Sequence, residues 1–261
     1  MPIQHHGSLR RISRKEFGEL SFEVIKQVFA IHDSFGRFFD ERIYKREIAR
    51  RVPEVRLEVP IDVGFESFTK RYFLDAVLAD AALFEFKTAE RLVPKHRAQT
   101  LHYLMLANPA HAKLVNMRPE SVEHEFINNA TTTTARLNFI RNTERWERAV
   151  PGATRLEEIL LPLLHDWGAG LELPLYEEAA THFLGGPQQV EREVDVVEAG
   201  LSLGLQRFRM AAENVAFKFT AISERFEEFE AHTRRLLEHC RLRAILWINL
   251  DISEVRFVTL T

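Results

Sequence analysis

Asp75 and the tripeptide Glu85-Phe86-Lys87, separated by nine residues, are the residue types and spacing in this chain that best suit metal chemistry. Two carboxylates brought together make a hard, oxygen-rich site suited to Mg²⁺ or Mn²⁺. A protonated lysine beside them cannot be a ligand, but it can orient or polarise a water, or neutralise charge building on a phosphate. That is the chemistry of metal-dependent phosphodiester hydrolysis. The same letters also suit an ordinary amphipathic strand with its charges in solvent and its phenylalanines in the core, so the surrounding elements have to decide.

Those elements read as α/β. Leu20, Val24, Val28, Ile31 and Phe35 recur at helical spacing, and a second amphipathic stretch runs through Glu41, Tyr44 and Ile48 to about Arg51. The period then changes: Val55, Leu57, Val59 and Ile61 alternate with Arg56, Glu58 and Pro60, as in a strand. Tyr72 to Leu78 and Leu83 to Lys87 read as two more strands joined by a short turn, which brings Asp75 near Glu85. Alternation puts Glu85 and Lys87 on one face and Phe84 and Phe86 on the other. A helix over about Pro94–Ala107 and short strands near Ala112–Met117 and Val122–Ile127 complete the unit, a mixed sheet flanked by helices. On the helix, Gln99 and Tyr103 stand four apart and share a face.

Ile31-His32-Asp33-Ser34-Phe35-Gly36, the segment Phe38 to Tyr44, Asp75, Glu85-Phe86-Lys87 and Gln99-Thr100-Leu101-His102-Tyr103 together carry a family likeness. Residues 20–127 resemble the GxxExxY protein family, a branch of the PD-(D/E)XK nuclease superfamily. The resemblance implies a restriction-endonuclease-like unit with Asp75 and Glu85 as metal ligands and Lys87 as the catalytic lysine. It implies Glu41 as an additional acidic metal ligand, and Gln99 and Tyr103 as substrate-binding residues lining the site. It further implies Mg²⁺ or Mn²⁺ as cofactor and nucleic acid, with DNA the expected polymer, as substrate. One departure is plain: the glycine of the family's naming motif is Phe38 here.

The second half of the chain echoes the first. His32-Asp33 returns as His165-Asp166, Phe86 as Phe219, Leu104 as Leu237 and Asn116 as Asn249, all at an offset of 133. Tyr44 meets Tyr176 at 132, and Val55–Val59 meets Val190–Val194 at 135. A near-constant offset across an α/β unit reads as a tandem duplication of two domain-sized units, able to pack as an intrachain pseudo-dimer. The expected organisation is a basic tail over 1–19, an intact nuclease-like unit over 20–130, a linker over 131–154 and a degenerate repeat over 155–261. At the place of Glu85-Phe86-Lys87 the repeat has Lys218-Phe219-Thr220; near Asp75's place it has Arg209 and Met210, and at Glu41's it has Leu173. Packing therefore demands the central phenylalanine and not its charged neighbours, and the repeat is expected to bind no metal.

Composition bounds the rest. The 261 residues are 46% hydrophobic and 28% charged, an ordinary globular balance, and one cysteine, Cys240, excludes an internal disulfide. No apolar run reaches the roughly 18–20 residues of a membrane span, so a cytoplasmic protein without membrane partners is expected. Residues 1–140 hold 21 Lys and Arg against 18 Asp and Glu, and residues 141–261 hold 14 against 20. A basic first half suits a polyanion approaching that side, and an uneven solvated surface explains it as well. Two function classes remain: a metal-dependent nuclease, or a catalytically inactive nuclease-like module that binds a partner or nucleic acid without cutting it.

Overall fold

A computed structural model describes residues 3–5 and 9–261, in two units, Met1–Thr132 and Thr133–Thr261. In the first, the Ser13 side chain accepts a hydrogen bond from the Glu16 amide at 3.2 Å and starts helix α1 (Arg14–Phe35). Gly36, at φ +73°, ends it. Helix α2 (Glu41–Arg51) follows, and the two helices lay Phe17, Val24, Val28, Ile31, Tyr44 and Ile48 against one face of a sheet.

That sheet contains β1 (Ile3–His5), β2 (Val55–Phe65), β3 (Phe68–Leu78), β4 (Ala82–Lys87), β5 (His111–Asn116) and β6 (Glu123–Asn128), in that spatial order. All neighbours are antiparallel except β4 and β5, which run parallel because helix α3 (Pro94–Ala107) carries the chain back between them. Phe84 and Phe86 are fully buried with the α1–α2 residues, so Glu85 and Lys87 take the other face, as the alternation predicts.

The second unit contains α4 (Thr133–Leu137), β7 (Ile140–Arg145), α5 (Ala153–Trp167), α6 (Leu173–Phe183), α7 (Pro187–Val190), β8 (Glu191–Glu198), β9 (Leu201–Ala212), β10 (Val215–Thr220), α8 (Phe226–His239), β11 (Ala244–Leu250) and β12 (Glu254–Leu260). Its sheet order is β7-β12-β11-β10-β9-β8. Both units are thus mixed sheets flanked by helices, with one helical crossover between parallel strands. Their registers coincide: Phe84 pairs with Lys113 and Lys87 with Asn116, while Phe217 pairs with Leu246 and Thr220 with Asn249. Side-chain anchors coincide too. Tyr44 Oη donates to the Gly36 carbonyl, and Tyr176 Oη to the Gly168 carbonyl. Asn116 bonds both main-chain groups of Ala89, and Asn249 both of Ile222.

Three boundaries differ from the sequence reading. The expected linker over 131–154 contains α4 and β7; β7 lies at the sheet edge, parallel to β12, and is held by main-chain pairing, so it needs no apolar alternation. The expected tail over 1–19 already contains the buried Leu9, Ile12 and Phe17 and the start of α1; residues 1–2 and 6–8 lie outside the described residues. The offset between β2 and β8 is 134, since Leu57 faces Ala76 and Glu191 faces Arg209. That single residue changes which side chains share a face. Among the described residues, no helix is long and apolar enough to cross a membrane.

Candidate active site

β3 and β4 are paired only from Ala76–Phe84 to Leu78–Ala82, and beyond that the strands part. Asp75 sits where they part. Its Oδ2 accepts the Phe86 amide at 2.8 Å, taking a donor that the ladder no longer satisfies. Its Oδ1 accepts from Lys45 Nζ at 2.8 Å. Lys45, buried on α2, also bonds Glu58 and lies 3.3 Å from Glu41 Oε1 at the helix start. Glu58 holds φ +50°, a left-handed conformation, at the point where the β2–β3 pairing skips it between Leu57–Ala76 and Val59–Leu74. Such backbone costs free energy for a residue with a side chain, and the ion pair with Lys45 fixes it there.

Glu85 is 1% exposed, and its Oε1 accepts from Lys87 Nζ at 2.6 Å. Its other oxygen, Oε2, is buried without a hydrogen-bond partner among the described residues. Burial, then repulsion from Asp75, pushes the Glu85 carboxyl up to about 8 despite the Lys87 ammonium. Glu41 is raised by burial and by Asp75. Burial opposes the charge on Lys45, but its bonds to Asp75 and Glu58 outweigh that and raise it. The structure therefore brings Asp75, Glu85, Lys87 and Glu41 into one electrostatic cluster. Gln99 and Tyr103 form a pair of their own on α3, with Gln99 Nε2 donating to Tyr103 Oη at 3.0 Å and Tyr103 packed edge-on against Tyr72. His96, one turn before Gln99, feels the Lys87 charge.

Lys45 and Glu58 were missed in the sequence. The available signal was the four-residue step from Glu41 to Lys45 along α2, which puts both on one helix face. Fully ionised, Glu41, Glu58, Asp75 and Glu85 against Lys45 and Lys87 carry a formal charge of −2, which a divalent cation would cancel. Among the described residues no three carboxyl, imidazole or thiol groups form a ready ion cage; the point on which Glu41, Glu58 and Asp75 converge is the Lys45 nitrogen. The orphaned Glu85 oxygen is an atom that would accept a dication once the carboxyl's own proton is displaced.

The corresponding place in the second unit is differently filled. Arg209 faces Phe217 as Ala76 faces Phe84, so Asp75's counterpart is Phe208 rather than the expected Arg209 or Met210. The turn there is shorter, and a bulge between Val215 and Ala216 restores the spacing. Phe208 packs with Met210, Ala216, Leu236 and Ile245. Lys45's counterpart is Glu177, ion-paired with Arg209 at 3.0 Å. Thr220, at Lys87's place, accepts from Trp247 Nε1 at 2.8 Å.

Residues 18–128 match the family model of the PD-(D/E)XK nuclease superfamily. No curated protein matches the chain. Among solved structures, one titled "Crystal structure of SSO0001" is 19% identical with a TM-score of 0.30; the match covers 46% of this chain and 63% of that one, less than two thirds of its length.

Proposed function

We propose that the first unit, residues 20–130, is a divalent-metal-dependent nuclease hydrolysing phosphodiester bonds, with DNA the expected polymer and Mg²⁺ or Mn²⁺ the metal. The observation that carries this reading is the buried, unpartnered Glu85 Oε2 in one charge cluster with Asp75 and Lys87. The match of residues 18–128 to the nuclease superfamily supports it.

Asp75 and Glu85 would hold the cation, with Glu41 at the open side. When bound, the cation supplies Lewis acidity and a water acidified toward neutral pH. Lys87, held at Glu85 Oε1, is placed to stabilise charge growing on the phosphate oxygens. Lys45 fixes the Asp75 carboxylate and balances the cluster's charge. Gln99 and Tyr103 would contact the substrate phosphate. The shared registers and the paired tyrosine and asparagine anchors support an origin of the two units by tandem duplication, with the second copy having lost the chemistry.

The test is cleavage of single- and double-stranded DNA and RNA in Mg²⁺ or Mn²⁺, with Lys87→Ala beside the wild type. Metal-dependent cleavage that disappears in the variant is expected; cleavage undiminished in the variant overturns the assignment. One observation favours a second reading, an inactive binding module: Lys45 already occupies the convergence of three carboxylates. Absence of any Mn²⁺-dependent rise in melting temperature would select that reading, because a ligand of the native state must stabilise it.

A further inference from the structure

We infer that Phe38, with Arg37 and Arg118, is a stacking platform for an unpaired base beside the carboxylate site, so that the substrate class is a nucleic-acid strand with unstacked nucleotides next to the bond that is cut. This deepens the proposed function and rests on it for the chemistry that follows binding.

Phe38 is 75% exposed, in the turn between α1 and α2, three residues before Glu41. A phenylalanine left in water costs stability, and this one is held there rather than collapsed. Tyr44 Oη donates to the Gly36 carbonyl at 2.6 Å and accepts from the Phe39 amide at 3.2 Å, bracketing Phe38 on both sides. Two guanidinium groups lie over the ring, Arg37 Cζ at 5.0 Å and Arg118 Cζ at 6.0 Å from its centroid, and an incoming base would share the ring with them or displace one. Arg118 Nε also reaches the carbonyl of Thr88, the residue after Lys87, at 3.4 Å. The aromatic corner is therefore tied to both ends of the site, the start of α2 and the end of β4.

An exposed ring flanked by guanidinium groups offers what a single strand needs: a flat face for one base and fixed positive charge for the adjoining phosphates. A duplex keeps its base faces stacked inside and cannot use the ring. The second unit supplies the contrast. Ala169, fully buried, stands in Arg37's place and Asp251 in Arg118's. Gly170 stands in Phe38's place at φ +83°, where a Cβ would collide with Ile252 Cγ1. The corner that is open, basic and aromatic in one unit is closed and acidic in the other, so packing of the shared fold does not require the ring.

The experiment measures binding of the full chain to labelled single-stranded DNA, single-stranded RNA and blunt duplex DNA by fluorescence anisotropy in EDTA, so that nothing is cut. The wild type is expected to prefer a single strand. Phe38→Ala should weaken that binding about 10-fold while duplex binding stays unchanged. Phe38→Trp should keep the affinity and add a strand-dependent quench of tryptophan emission. The DNA and RNA arms distinguish the polymer. Equal binding of single strand and duplex by the wild type, or unchanged single-strand binding in Phe38→Ala, overturns the inference. Strand preference that depends on Phe38, without metal-dependent cleavage, would instead remove only the nuclease reading.

Discussion

Two places in the chain have the same strands, the same register and opposite contents. Where β3 and β4 part, the first unit gathers three carboxyls and two ammonium groups around Asp75. Between β9 and β10 the second puts Phe208 into an apolar cluster and pairs Glu177 with Arg209. The phenylalanines under the sheet, Phe86 and Phe219, are buried in both, as are Tyr44 and Tyr176. Burial of the framework is thus indifferent to what the fork between the strands contains. Asp75 serves the strands by accepting the Phe86 amide, whereas Glu85 bears a desolvation cost that leaves one of its oxygens without a partner.

The comparison breaks most visibly in activity. Lys87→Ala should lower metal-dependent cleavage by at least about 100-fold, the scale of losing one group that stabilises transition-state charge, whereas Lys218→Ala should leave it unchanged. Equal losses in the two variants would erase the distinction between the units. A smaller but definite effect is expected from Phe208→Asp, which removes the ring from the apolar cluster and puts a carboxylate beside Met210, Leu236 and Ile245, with Lys218 across the strands as its compensation. It should destabilise the chain by about 2 kcal/mol in urea unfolding, and no loss would mean that this fork is as wet as the first.

The two units should also differ in their response to pH. Glu85 has a folded pKa of about 8 against an ordinary 4.5, so the folded state binds the extra proton between those values. Metal-free, the first unit should lose stability as pH rises from about 4.5 to about 8, and Mn²⁺ should reverse the loss because cation and proton compete for the same oxygen. In the second unit, hydrogen bonds from Arg145 and Arg234 hold Glu230 down to about 2. Its contribution is present above pH 4.5 and lost as pH falls toward 2, a loss the first unit shares through Glu47, which hydrogen bonds from Arg50 and Arg51 hold down to about 2. The units therefore separate between pH 4.5 and 8, where hydrogen exchange resolved by unit should show the Glu85-linked loss in the first unit. The last expected effect is a symmetrical one. Tyr44→Phe and Tyr176→Phe each remove the hydrogen bond to a helix-ending glycine carbonyl and the one the hydroxyl accepts from a main-chain amide, Phe39 or Leu171, and should each cost about 2 kcal/mol in urea unfolding. A large inequality would mean that the two anchors are not equivalent.

Where a pattern was local, the sequence read correctly. Pro94–Ala107 is the helix expected, because proline can start a helix and the leucines maintain its period. The Glu-Phe-Lys alternation placed Glu85 and Lys87 on the face away from Phe84 and Phe86. The reading failed where main-chain pairing alone made the element: β7 has polar, exposed residues and leaves no periodic trace. It also failed at the bulge between Val215 and Ala216, where one residue gained and one lost hid the true counterpart of Asp75. In this charge cluster it singled out Glu41, Asp75, Glu85 and Lys87 and missed Lys45 and Glu58.

The sequence by itself determined the strand–turn–strand around Asp75 and Glu85, the face each side chain takes and the repeat of the framework, because those depend on neighbours a few positions away. Only the tertiary structure decided that Lys45 would meet Asp75 thirty residues later, with Glu58 alongside, and that Glu85 would keep one oxygen without a partner. Contacts of that kind depend on how helices settle on a sheet, and so does the desolvation that shifts their protonation.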